Sequence, residues 1–126
     1  MPAPANLATE LPASEYERRI ETVRERLAET DEDAAAWFGA TSIGYLTGFH
    51  HIQTERPTVL VITPETVAIT VPRLERDRVE MNPRIDRVET YFDYPQGRPI
   101  ETIAGLLDDL GVESVRGDAT GAPGVM

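Results

Sequence analysis

Ser42-Ile43-Gly44-Tyr45-Leu46-Thr47-Gly48-Phe49 is the stretch on which the reading of this chain turns. Thr41 or Ser42 offers a side-chain oxygen to the amides of a first helical turn. Gly48 offers the residue that enters the left-handed region at little cost and stops that turn. The spacing predicts a short helix through Leu46, ended at Gly48. Upstream, residues 33–38 form an apolar run around Ala34, Ala35, Ala36 and Trp37 that ends at Gly39. That run reads as a buried strand.

Outward from this stretch, strands and helices alternate. Residues 58–62 and 67–71 are β-branched runs joined by Thr63-Pro64-Glu65-Thr66, with proline at the second turn position. That pattern predicts a hairpin. Residues 74–81 predict a short helix entered after Pro72, and residues 88–92 a strand. Residues 99–110 predict a helix whose Ile100, Ile103, Leu107 and Leu110 share one face, with Gly111 as its stop. A strand starts at residues 112–116. On the N-terminal side, Ser14 and Glu17 have the spacing of a capping box, and Tyr16, Ile20, Val23 and Leu27 form an apolar helical stripe. Residues 1–13 carry Pro2, Pro4 and Pro12 and read as a flexible arm ahead of one domain at 14–126. The tail 117–126 is glycine-rich. The predicted fold class is α/β, a mixed β-sheet flanked by helices.

Length fits one domain able to bury its own core. There is no cysteine, hence no disulfide, thiol nucleophile or thiolate metal site. The charge balance is distinctive: 22 acidic residues against 12 basic ones, a formal net charge of -10. All 12 basic residues are arginine. An acidic chain without lysine suggests a salt-rich cytoplasm, as in halophilic archaea, because molar salt screens self-repulsion beyond about 3 Å. The alternative is an ordinary acidic bacterial protein whose GC-rich codons favour arginine. Nucleic acid is not an expected partner, since phosphate binding needs a basic face. The densest basic run, 73–78, is interleaved with Glu75 and Asp77 and reads as a solvated helix face. No apolar run reaches the roughly 18 residues of a membrane span, and no signal peptide is evident. The expected location is cytoplasmic, without a membrane partner.

Most chemistry finds no foothold. A Walker A loop needs a lysine, and the spacing of Gly117, Gly121 and Gly124 lacks the rest of a nucleotide fingerprint. No Gly-x-Ser-x-Gly elbow exists; Ser14, Ser42 and Ser114 fall at caps or a strand start. The adjacent His50 and His51 point different ways and do not suit one metal. The acidic groups Asp31-Glu32-Asp33 and Asp108-Asp109 read as solvated surface. The loop His50-His51-Ile52-Gln53-Thr54-Glu55-Arg56-Pro57 is different, because it is polar, dense in binding groups and set between structured elements.

The order of these features resembles the N-terminal domain of the creatinase, prolidase and aminopeptidase P (Xaa-Pro peptidase) family, with its ribonuclease H-like sheet. Tyr45-Leu46-Thr47-Gly48-Phe49 and Val71-Pro72-Arg73-Leu74-Glu75 carry the resemblance, which spans nearly the whole chain. It implies a non-catalytic domain whose catalytic "pita-bread" partner domain lies outside this chain. In that domain two divalent metals, manganese or cobalt, would be held by two Asp, one His and two Glu. None of those five maps here, so no catalytic residue and no metal ligand is assigned in this chain. The resemblance further implies a homodimer, a peptide substrate and a role in walling the active site. His50, His51, Thr54, Glu55 and Arg56 are the candidates for that wall, with Arg56 suited to a substrate carboxylate. Two alternatives stay open. One is a free-standing protein- or peptide-binding module of the same fold. The other is a small enzyme using Glu55 and a histidine.

Overall fold

The computed structural model of the protein describes residues 11–52, 54, 56–92 and 97–118. Most of the expected arm and of the glycine-rich tail, with Gly121 and Gly124, lies outside them. Helix α1 spans Ala13–Thr30 and strand β1 Ala34–Trp37. Helix α2 is Ala40–Thr47, and strands β2 and β3 are Val59–Ile62 and Val67–Pro72. A 3-10 turn at Arg73–Glu75 leads into helix α3, Arg76–Glu80. Strand β4 is Arg87–Tyr91, helix α4 is Pro99–Asp109, and strand β5 is Val115–Asp118. None of the helices is long and apolar enough to cross a membrane, among the described residues.

The sheet has the order β4-β3-β2-β1-β5. Strand β2 runs antiparallel to both neighbours, while β3 pairs parallel with β4 and β1 with β5. Four strands therefore share one direction and β2 opposes them, which is the mixed α/β sheet that the alternation predicts. The hairpin turn forms as read. Thr63 N donates to Thr66 O at 2.9 Å, and the Thr63 hydroxyl accepts from the amides of Glu65 and Thr66.

Each sheet face has its own core. Ile20, Ile43, Leu46, Phe49, Leu60, Ile62, Ile69, Val71 and Val79 meet on the face covered by α1, α2 and α3. Ala34, Ala36, Val59, Val61 and Ala68 meet Ile103 and Leu106 of α4 on the other. Period-two alternation along β1, β2 and β3 sends successive side chains to opposite cores, so these strands are buried on both sides. A fully buried Leu, Ile or Val contributes about 1.5–3 kcal/mol, against about 0.2–1 kcal/mol for an exposed ion pair. The two cores, and not the arginine–glutamate pairs of the surface, hold the fold.

Several local expectations are corrected. The Ser14–Glu17 capping box does not form: α1 starts from Pro12, with no side-chain cap, and Glu15 N bonds Pro12 O at 3.0 Å. Pro12 occupies the N-cap position with φ -60° and ψ 147°, and has no side-chain acceptor to offer. Glu15 instead binds Arg18 and Arg19. Neither Thr41 nor Ser42 caps α2; the helix starts earlier, from Gly39. In α4 the packed stripe is Ile103, Leu106, Leu107 and Leu110, whereas Ile100 is 56% exposed in the first turn, one turn short of the stripe. The acidic run is structural as well as solvated. Asp33 Oδ2 accepts from the amides of Glu113 and Ser114, and Glu32 pairs with Arg116. These bonds tie the start of β1 to β5.

Candidate functional site

The carboxyl ends of β1, β3, β4 and β5 lie at one end of the sheet, and the loop ahead of β2 returns to that same end. The register shows it: Trp37 pairs with Leu60, Val59 with Thr70, and Pro72 with Tyr91. Open α/β sheets bind ligands outside the carboxyl ends of their strands. The described residues of the 50–57 loop thus occupy the position where this architecture places a site.

The motif ahead of the loop is a mounting for it. The Thr47 side chain is fully buried; its hydroxyl donates to Ile43 O at 2.7 Å and accepts from Phe49 N at 3.1 Å. Gly48 has φ 82°, the left-handed stop that the sequence predicts, and its amide bonds Gly44 O. The Thr47 carbonyl accepts from Asn82 Nδ2 at 2.9 Å and Arg84 Nε at 2.8 Å. Leu46 and Phe49 enter the core. Tyr45 alone faces outward, 55% exposed, with the Arg19 guanidinium 3.8 Å from its ring centroid. These residues build the fold and aim the chain that follows; they do not converge on a reacting centre.

The loop root is held by specific contacts. A Cβ at Gly44 would lie 2.6 Å from His50 Nδ1, so the imidazole rests on the bare backbone of α2. His51 stacks on Phe49, with centroids 5.2 Å apart and planes inclined by 15°. Its Nδ1 is sealed from solvent and has no hydrogen-bond partner among the described residues. The Arg78 guanidinium donates to His50 O at 2.6 Å, pairs with Glu75 at 2.6 Å and lies 5.2 Å from the Phe49 centroid. At the far end, the Tyr91 hydroxyl donates to Pro57 O at 2.6 Å. Between these anchors Ile52 is 87% exposed, and Thr54 Oγ1 accepts from Arg56 N at 3.1 Å. Glu55 and Gln53 lie outside the described residues.

Burial holds the His51 imidazole below its ordinary value near 6.5. Glu75 opposes that shift, while the positive charge of Arg78 and the neighbouring His50 add to it. Beside the root, an open depression of about 430 Å³ is lined by Gly48, Phe49, His50, Arg78, Asn82 and Arg84, among others. Among the described residues no group of three or more His, Asp and Glu is placed to hold a metal ion.

The structure brings His50 and His51 together with Arg78, a residue of the basic run that by its charge pattern belongs to a solvated helix face. Asn82 and Arg84 reach Thr47 from more than thirty residues away, and no local pattern announces them. The one legible signal was Gly44, a glycine inside a helix, which implies close approach of another group.

Residues 19–119 match the family described as Creatinase/Prolidase N-terminal domain. A comparison with curated proteins found no match. Among solved structures, a proline dipeptidase from Streptococcus agalactiae is 25% identical, with a TM-score of 0.70 over 81% of this chain and 76% of that one. The N-terminal domain of an X-Pro dipeptidase from Streptococcus pyogenes is 27% identical, with a TM-score of 0.63 over 71% of this chain and 67% of that one. A recombinant prolidase from Thermococcus sibiricus, 24% identical, has the same fold, with a TM-score of 0.71 over 83% of this chain but only 29% of that one. The matched family covers most of the sequence and coincides with the sheet, the α2 motif and the loop it carries: this chain belongs to the creatinase/prolidase N-terminal domain family.

Proposed function

We propose that this chain is the non-catalytic N-terminal domain of an Xaa-Pro peptidase, and that its 50–57 loop walls the active site of the assembled enzyme. The observation that carries the reading is the mounting of that loop at the carboxyl ends of four codirectional strands. Support for a larger parent comes from the Thermococcus prolidase, of which this chain matches only 29%. The hydrolytic centre, with two divalent metals of the manganese or cobalt type, belongs in this reading to a C-terminal domain. There the metals would activate a water and polarise the scissile carbonyl. The present domain would exclude bulk water and long substrates. His50, His51, Thr54, Glu55 and Arg56 would form the wall, with Arg56 pairing with a substrate carboxylate and His50 or His51 contacting the peptide terminus. A homodimer would bring the loop to its partner's site. The arginine-only acidic composition supports a haloarchaeal, cytoplasmic setting.

The test is kinetic. In the full-length protein, replacing His50, His51 and Arg56 with alanine should raise KM for an Xaa-Pro dipeptide or lower kcat, with the metal content unchanged. Wild-type kinetics in that variant would contradict the wall.

A further inference from the structure

The stack of His51 on Phe49 joins three features that the wall role leaves unexplained. They are a half-buried imidazole, a sealed nitrogen without a partner, and an arginine shared between the loop and Glu75. We propose that His51 is a proton-operated latch on the loop root at residues 50–52. Neutral, it lies on Phe49 and keeps the loop root closed; protonated, it leaves the stack and the root opens.

The geometry gives the direction. A neutral imidazole tolerates an unpartnered acceptor nitrogen at modest cost. An imidazolium carries a donor on both nitrogens, and its Nδ1–H would point into the same sealed space without an acceptor. A buried donor on a charged group left without a partner costs more than a neutral one. The charged and titratable groups acting on the ring are His50 on the loop, Glu75 on the 3-10 turn and Arg78 on α3. Arg78 already donates to His50 O and to Glu75. A positive charge on His51 would compete with Arg78 for Glu75 and repel the guanidinium that grips the loop. Desolvation of the imidazolium and its repulsion from Arg78 therefore work against both fastenings of the root, the aromatic stack and the arginine bond, and outweigh the attraction that the Phe49 face offers a cation. Depression of the His51 titration by burial agrees with this coupling. The consequence for substrate access, an active site uncovered in acid, rests on the wall reading; the latch itself does not.

The latch is testable on the 126-residue chain without any activity. NMR would follow the His51 ring, the Phe49 ring and the Arg78 Nε–H from about pH 8 to about pH 5, where histidine titrates. The His51 midpoint should lie below 6.5, and the Phe49 and Arg78 signals should move with that same midpoint. His51→Phe keeps a ring on Phe49 but takes no proton, and should abolish those movements. Glu75→Gln removes the carboxylate that favours the imidazolium and should lower the midpoint further. Phe49 and Arg78 signals that ignore the His51 titration, or that move equally in His51→Phe, would overturn the proposal. If His51→Phe does not fold, Glu75→Gln decides: Phe49 and Arg78 signals that do not follow the shifted His51 midpoint there refute the latch. Failure of the wall reading would show only in enzyme kinetics, so the two outcomes are separable.

Discussion

Gly44 and His50 are in direct contact: a methyl group on Gly44 would sit 2.6 Å from Nδ1 and 2.8 Å from Cε1 of the imidazole. The glycine of the α2 motif thus sets where the first loop histidine can lie. Gly44→Ala should leave stability almost unchanged. Alanine gains about 0.5–1 kcal/mol inside a helix, while its methyl group forces the exposed His50 ring to move. The His50 ring signals should nevertheless shift markedly. A variant that loses stability without moving His50 would contradict this account of the contact.

Thr47 is the buried hinge pin of the same motif. Thr47→Val keeps the volume but leaves Phe49 N without the hydroxyl that accepts from it. A buried donor stripped of its partner costs about 1–3 kcal/mol. Denaturant unfolding should show a loss of that size. A cost below a few tenths of a kcal/mol would mean that the turn re-pairs in another way.

Thr70 gives the opposite sign. It is fully buried in β3, and its hydroxyl has no hydrogen-bond partner among the described residues. Thr70→Val removes an unsatisfied polar atom while keeping the β-branched shape. It should raise stability by about 1 kcal/mol, seen as a higher Tm.

His51 predicts a pH dependence whose sign is fixed. Burial lowers its folded pKa below the ordinary value near 6.5, so the unfolded chain binds the proton more tightly. The contribution is fully present above about 6.5 and is lost as pH falls through the lower, folded value. The Tm difference between wild type and His51→Phe should therefore change on acidification, with wild type losing ground. A constant difference from neutral pH to about pH 5 would contradict the assignment.

The strands, the hairpin and the two long helices were legible because their signals are local. β-branched runs, a proline in a turn and a glycine stop are all read within one element. The α2 stop at Gly48 was equally plain. The loop mounting was not. Arg78 sits in a run of alternating charge that looks solvated, and only the tertiary fold carries its guanidinium to His50 O. Asn82 and Arg84 grip the Thr47 carbonyl across the chain, a contact with no periodicity to betray it. The missing Ser14 cap and the exposed Ile100 have a common lesson. Helix ends are decided by what the neighbouring backbone already supplies, and proline or chain path overrides a matching spacing.

The acidic, lysine-free composition makes salt a variable. If the haloarchaeal reading holds, Tm should rise steeply as KCl goes from about 0.1 M to above 1 M, where the screening length shrinks from about 10 Å to about 3 Å. Full stability in dilute buffer would remove the halophilic part of the account and leave the family and fold untouched.

The central claim is that this domain serves a larger peptidase. The intact mass of the native protein in its source cells, captured with an antibody raised against this chain, tests it most directly. A domain that serves a larger peptidase should give a mass roughly threefold that of the 14.0 kDa chain, as typical domain sizes imply, with an Asp, Asp, His, Glu, Glu set in the added sequence. A mass of 14.0 kDa would contradict it and leave a free-standing binding module.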